Sequence, residues 1–198
     1  MKSVLNVAIR YTIVTTLLLG VAYPLLVTGI AQLTMRKQAD GQLILRKGQV
    51  IGSAIIGQNF SSDGYFHGRL SAAGNGYDAT NSGGSNYGPT NKKLIDRIDA
   101  DVAALQKQDP GKEVPIGLVT TSASGLDPDI SPEGALYQVP RVAAARHLPE
   151  STVLALVERH VEGRQFGFLG EPRVNVLRLN LDLDRISGDE SAVTINKK

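Results

Sequence analysis

The sequence predicts an α+β fold: a single N-terminal transmembrane helix within residues 1–35, then one soluble mixed α/β domain over residues 36–198. Three observations predict it. Residues 11–35 hold no Asp, Glu, Lys or Arg, and Arg10 and Arg36-Lys37 flank them. At about 1.5 Å of rise per residue such a run crosses a hydrocarbon core of about 30 Å. Beyond it, stretches with helical apolar spacing alternate with stretches patterned as strands, and Gly and Pro punctuate both.

Within the span, Thr12, Thr16, Gly20, Pro24, Thr28 and Gln32 recur every fourth position. Small and weakly polar residues gather where helix backbones approach in lipid, so Thr16, Gly20, Pro24 and Thr28 are expected contacts to partner helices. Pro24 removes a backbone donor and predicts a kink. The same run also reads as a cleaved signal peptide with Gly29-Ile30-Ala31 as a small-x-small site. Its length and the following Arg36-Lys37 favour an uncleaved anchor.

Lys2 and Arg10 account for both units of the +2 formal charge, so residues 36–198 are formally neutral. That argues against a nucleic-acid partner, which requires a basic patch. The chain has no cysteine, which removes disulfides and thiolate chemistry. Basic residues lie on both sides of the span, so charge counting alone leaves its orientation tied.

In chain order, residues 42–45 and 49–51 flank Arg46-Lys47-Gly48 and read as a hairpin. Residues 59–89 form a long stretch rich in Gly, Ser and Asn, with Phe60, Tyr65, Phe66, Tyr77 and Tyr87 spaced through it. Loops this long in compact domains are usually functional or wrap a partner, so Tyr65, Phe66, Arg69, Asn86 and Tyr87 are expected partner contacts; the equal alternative is an ordered loop pinned by its own aromatics. Thr90 is the expected cap of a helix over residues 91–108, with Leu94, Ile95, Ile98, Val102 and Leu105 as its apolar stripe. Residues 114–120 read as a strand. Ser131-Pro132-Glu133 starts a helix that Pro140 either bends or divides into 131–138 and 141–147. Pro149 opens a further helix that Gly163 stops. Residues 166–171 form an aromatic loop. Leu177, Leu179, Leu181 and Leu183 alternate with Arg178, Asn180 and Asp182, the clearest strand pattern in the chain. The polar last ten residues are expected to fray.

No nucleophile elbow, Walker loop, HExxH or EF-hand is present. Asp127-Pro128-Asp129 reads as a capped turn, with a two-carboxylate cation site as the alternative. His67, His147 and His160 lack metal-ligand spacing, and Glu158 and Glu162 share a helix face without a pocket. Ser82-Gly83-Gly84-Ser85 has the glycines of a phosphate nest but neither the lysine nor the helix start of a P-loop.

Several runs stand out along the chain. They are Tyr65-Phe66-His67-Gly68-Arg69, Gly84-Ser85-Asn86-Tyr87-Gly88-Pro89-Thr90-Asn91 and Ser122-Ala123-Ser124-Gly125-Leu126-Asp127-Pro128. Further along stand Gln138-Val139-Pro140-Arg141-Val142-Ala143 and Gly170-Glu171-Pro172-Arg173-Val174-Asn175-Val176-Leu177. With the anchor, this set covers nearly the whole chain and resembles the C subunit family of the bacterial Kdp potassium-transporting P-type ATPase. Asp129 and Leu70 depart from its pattern, standing where histidine and proline are common.

The resemblance implies a non-pumping accessory subunit, no enzyme on its own, that stabilises the high-affinity potassium uptake complex. In that family the A subunit carries the potassium filter, the B subunit hydrolyses ATP and a small F subunit completes the assembly. ATP and K+ are then handled by the complex, and this chain has no cofactor of its own. The resemblance also implies a single-pass inner-membrane protein with a cytoplasmic N-terminus and a periplasmic domain. It further implies a catalytic-chaperone role that raises the B subunit's ATP affinity, for which Gln138 is the expected residue. A periplasmic Gln138 cannot touch cytoplasmic ATP, so such an effect requires coupling through the complex. The alternative reading is a membrane-anchored periplasmic hydrolase or binding protein using Asp127, Asp129 or Glu171.

Overall fold

The structure, a computed structural model, describes residues 2–188. It divides into two compact units, Met1–Leu43 and Ile44–Lys198. The expected fraying of the last ten residues lies outside the described residues.

The first unit is built on a helical run, Lys2–Thr34, long and apolar enough to cross a membrane. It comprises α1 (Lys2–Leu17), a π turn (Leu18–Ala22) and α2 (Tyr23–Thr34). The helix therefore starts well before the uncharged run, at Lys2. Pro24 sits in the first turn of α2, directly after the π turn. There the Tyr23 N–H donates to Leu18 O, a widened ring next to the residue that offers no donor of its own. Thr15 Oγ1 donates back to Tyr11 O at 2.8 Å and Thr34 Oγ1 to Ile30 O at 2.8 Å, so these hydroxyls are satisfied without water. Met35 leaves helical geometry and a short α3 (Arg36–Ala39) follows, where Gln32 Nε2 donates to Asp40 Oδ1 at 2.8 Å.

In the second unit, β1 (Leu43–Arg46) and β2 (Gln49–Ser53) form the expected hairpin. Lys47 and Gly48 both take positive φ, 49° and 79°, as a two-residue type I′ turn requires. A long segment without regular structure, apart from a single 3₁₀ turn at Ala79–Asn81, leads to α4 (Lys92–Gln108). Its cap is Asn91, not Thr90: Asn91 Oδ1 accepts from the Lys93 N–H at 2.9 Å. The expected strand at 114–120 is instead a helical turn, α5 (Ile116–Val119). Pro115 fixes the φ that launches it, and Thr120 Oγ1 donates back to Ile116 O at 2.8 Å.

Three short strands, β3 (Asp129–Ile130), β4 (Val161–Glu162) and β5 (Arg173–Asn175), form an antiparallel sheet in the order β3-β5-β4. Ile130 pairs with Val174 on one side and Val161 with Val174 on the other. Between them run α6 (Pro132–Arg146) and α7 (Glu150–His160). Ser131 caps α6, its Oγ accepting from the Gly134 N–H at 3.1 Å, and the helix continues unbroken past Pro140.

The alternating leucines are not a strand. Val176–Ser187 is a helix, α8, capped by Asn175. Its buried positions are Val176, Leu177, Leu179, Asn180, Leu183 and Asp184. Val176, Leu179, Asn180, Leu183 and Asp184 fall at helical spacing on one face. Two of those five are polar, so hydrophobicity alone hid the stripe. The core gathers Phe66 from the long segment before α4, and Val139, Val142, Val153, Leu156, Val157, Val174, Leu179 and Leu183 from the sheet, α6, α7 and α8.

Candidate functional site

Phe66 is the anchor of the long loop: its ring is wholly buried in the core. Burying a phenylalanine side chain contributes about 2–3 kcal/mol. Two side-chain amides then fix the backbone beside it. Asn180 of α8 accepts from the Phe66 N–H at 2.8 Å and donates to Phe66 O at 2.9 Å. Gln138 of α6 accepts from the His67 N–H at 2.8 Å and donates to His67 O at 3.1 Å. Each amide therefore pairs with one loop residue at both its donor and its acceptor, as a neighbouring strand would.

Gln138 is 4% exposed and its amide is fully used. Its Nε2 also donates to Gly134 O at 3.1 Å, and its Oε1 also accepts from Arg141 Nη2 at 2.7 Å. Two donors and two acceptor lone pairs are all an amide offers. Arg141 extends the brace, donating to Asp63 O at 2.6 Å and Tyr65 O at 3.1 Å. Arg146 donates to Gly64 O at 2.7 Å and to Asp184 Oδ1 at 2.9 Å, and its guanidinium lies 4.4 Å from the Tyr65 ring centroid. Asp184 has no exposed surface, and Arg46 stands 3.6 Å from its second oxygen.

The far end of the strip, from Gly68 onward, is held by a second set of contacts. Arg69 pairs with Asp127 at 3.1 Å and donates to Thr121 O at 3.2 Å, while Leu70 bridges to Thr121. Tyr77 Oη donates to Arg69 O. Burial, with the Asp127 carboxylate adding to it, pushes the Tyr77 hydroxyl up to about 12. A Cβ at Gly68 would stand 2.6 Å from that hydroxyl, so only glycine fits. Gly125 combines φ 68° with a would-be Cβ 2.6 Å from Ala73 N.

The strip separates two clefts. One, of about 230 Å³, lies toward α4 and α6 and is lined by His67, Leu105, Asp109, Tyr137, Gln138 and Arg141 among others. The other, of about 270 Å³, is lined by Asn59, Phe60, His67, Arg69, Ser71 and Tyr77 among others. His67 lines both, and its Nε2 sits 3.0 Å from Ser62 O. Burial, aided by the Arg141 cation, lowers its pKa, so the imidazole stays neutral near pH 7.

The other singled-out residues fall as follows. Phe66 offers no surface to a partner, and Arg69 is committed to Asp127 and its neighbours; both act as anchors for the loop. Asn86 and Tyr87 lie exposed near the end of that loop, Asn86 at φ 52°, and Tyr65 is half-buried. Asp127 caps its own turn, accepting from the Asp129 N–H at 3.1 Å. Asp129 pairs with Arg173 at 3.2 Å, and Glu171 with Arg164 at 2.6 Å. Among the described residues no three His, Asp or Glu side chains converge to hold a metal. The Gly83 N–H donates to Ser124 O at 2.9 Å, so the would-be nest spends an amide internally. His147 sits in the left-handed position that ends α6, and His160 contacts Asp182 at 2.9 Å. Glu162 lies on β4 and pairs with Arg173 and Arg178.

Sequence reasoning missed Asn180, Asp184 and Arg146. The available signal was the spacing of Asn180 and Asp184, one helical turn apart. The arrangement as a whole holds backbone in place.

The model of the family described as "K+-transporting ATPase, c chain" matches residues 5–185. A protein named potassium-transporting ATPase KdpC subunit from Koribacter versatilis is 59% identical, covering 93% of this chain and 95% of its own. Its namesake from Acidobacterium capsulatum is 57% identical, covering 92% and 98%. That from Bradyrhizobium diazoefficiens is 56% identical, covering 90% and 94%.

Proposed function

Because the chain belongs to the KdpC family, the c chains of the K+-transporting ATPase, we propose that it is a non-catalytic accessory subunit that stabilises that complex. Its partners are the channel-like A subunit, the ATP-hydrolysing B subunit and the small F subunit. The complex handles ATP and K+. The chain spans the inner membrane once, with its N-terminus in the cytoplasm and its domain in the periplasm. Thr16, Gly20, Pro24 and Thr28 pack on partner helices. A Cβ at Gly20 would meet only Thr16 Cγ2 at 3.9 Å, so nothing within the helix asks for glycine there, whereas a close neighbouring helix would. Tyr65, Asn86 and Tyr87 supply docking surface from the long loop.

One observation carries this reading: the Gln138 amide is wholly spent on its neighbours within the domain. Gln138 has no hydrogen-bonding capacity left for a nucleotide. Its influence on ATP affinity therefore runs through the loop it positions and the subunits that loop meets. That is a coupling between sites, which requires two states differing in those contacts. The test is potassium-stimulated ATPase activity of detergent-purified complex with and without this chain. Activity and apparent ATP affinity should both fall without it; full activity in its absence overturns the proposal.

A further inference from the structure

The loop between β4 and β5 exposes its hydrophobic side chains on a backbone closed by hydrogen bonds. Phe166 is 87% exposed and Phe168 70%, beside Leu169 at 47%. Yet the turn is tightly closed. The Gln165 N–H donates to Leu169 O at 2.8 Å, and the Leu169 N–H donates to Gln165 O at 2.9 Å. The Phe168 N–H donates to Gln165 O at 3.2 Å across the tip. An Arg164–Glu171 ion pair at 2.6 Å braces the base, and β5 ties the loop to the middle of the sheet.

The tip residues Phe166 and Gly167 take φ 52° and 81°. Two consecutive positive values make a type I′ turn, in which Asn-Gly is the favoured pair. Phenylalanine in the left-handed region is strained, because its Cβ crowds the backbone. Strain of this kind persists at sites where function requires it. Here the first tip position carries a ring that the turn itself does not want, and that ring faces water.

We infer that the Phe166-Gly167-Phe168 tip is a docking knob whose two rings fill an apolar pocket on another protein subunit of the potassium-transporting ATPase. This rests on the reading of the chain as a subunit of that complex. Rigid aromatic side chains seated in pockets are the usual energetic centres of protein interfaces. A lipid surface fits less well. Within residues 163–172 the only ionisable side chains are Arg164 and Glu171, which neutralise each other, so no basic excess attracts anionic headgroups. The tip also lacks the Trp and Tyr that anchor at membrane interfaces.

The experiment places the photocrosslinker benzoylphenylalanine at position 166 or 168 of the full chain within the complex in native membranes. The expected result is a covalent adduct with another subunit of the ATPase. Adducts with lipid alone, or no adduct, overturn the inference. Phe166→Asn and Phe168→Ser provide the second measurement, retention of the chain in the detergent-purified complex. Each should weaken retention by about 30-fold, the factor for losing an interface hot spot. Phe166→Asn should at the same time raise the melting temperature of the chain, since asparagine suits the turn. Unchanged retention of both variants overturns the knob. If the complex assembles and turns over fully without the chain, the proposed function has failed instead, and the two outcomes are separable.

Discussion

Replacing Gln138 by methionine tests whether the amide clamp, rather than side-chain packing, fixes the strip. Methionine keeps the length and the buried volume and removes every hydrogen bond. The His67 N–H and C=O then lose their partners at 2.8 and 3.1 Å, and Arg141 loses an acceptor at 2.7 Å. Gly134 O keeps the backbone bond of the helix. Two stranded peptide groups cost about 1–3 kcal/mol each when fully buried. His67 and Arg141 are only partly buried, so water repairs some of the loss. The expected cost is therefore about 2–3 kcal/mol, a large share of the roughly 5–15 kcal/mol that stabilises a typical domain. Asn180→Leu should cost at least as much, because Asn180 has no exposed surface at all. The two clamps grip adjacent residues, so the double variant should fall short of additivity by about 1 kcal/mol or more. Chemical unfolding of the detergent-solubilised chain gives the energies, and hydrogen exchange at the Phe66 and His67 amides reports the strip itself. A Gln138→Met variant within about 0.5 kcal/mol of the parent, with His67 exchange unchanged, would refute the clamp.

Asp184→Ala should cost about 3 kcal/mol, the lower end for breaking a buried ion pair, because the side chains of Arg146 and Arg46 keep 10% and 22% exposure. Adding Arg146→Met should recover part of that loss in the same unfolding assay, since it removes one of the two cations, Arg146 and Arg46, that lose their shared carboxylate. Tyr77 holds its proton more tightly folded than unfolded, its pKa being raised from 10.0 to about 12. Its contribution is therefore present below pH 10 and disappears as pH rises toward 12. Tyr77→Phe should flatten the fall in stability between pH 9 and 11.5 by about 1–2 kcal/mol, a figure discounted for the partial exposure of the ring. An unchanged slope would remove the buried phenol as its cause.

How much of this was legible in the sequence depended on whether a signal was local. The apolar N-terminal run, the hairpin turning near Gly48 and the Ser131-Pro132 helix start were all legible, because each is fixed by a few adjacent residues. The c-chain family was legible too, through ordered motifs rather than any single one. The misreadings came from tertiary context. Residues 176–187 show two periods at once, leucine at every second position and a buried face at helical spacing. The helix prevails because Asn180 and Asp184 are buried by partners far away in the chain, Phe66 and Arg146. Residues 114–120 carry strand-like composition but pair with no strand among the described residues, and Pro115 starts a turn instead. Phe66 read in the sequence equally as a partner contact and as an aromatic pinning its own loop; the second holds, and the α8 side chains it packs on could not be read without knowing that α8 exists.

The use of side-chain amides where a sheet would use a neighbouring strand has a mechanical consequence. A strand partner would cover one edge of the strip; Gln138 and Asn180 reach it from helices and leave clefts on both flanks. The two clamps also belong to different helices, α6 and α8, and α7 packs against both. Any sliding of α6 relative to α8 therefore shears the Phe66–His67 peptide, and packed interiors resist such displacement except between discrete arrangements. On the proposed accessory role, a subunit that biases a distant equilibrium needs an element of this kind: rigid within each arrangement and fixed by few enough bonds to change. Two amide clamps meet that requirement, while a nucleotide pocket built on an already saturated Gln138 does not.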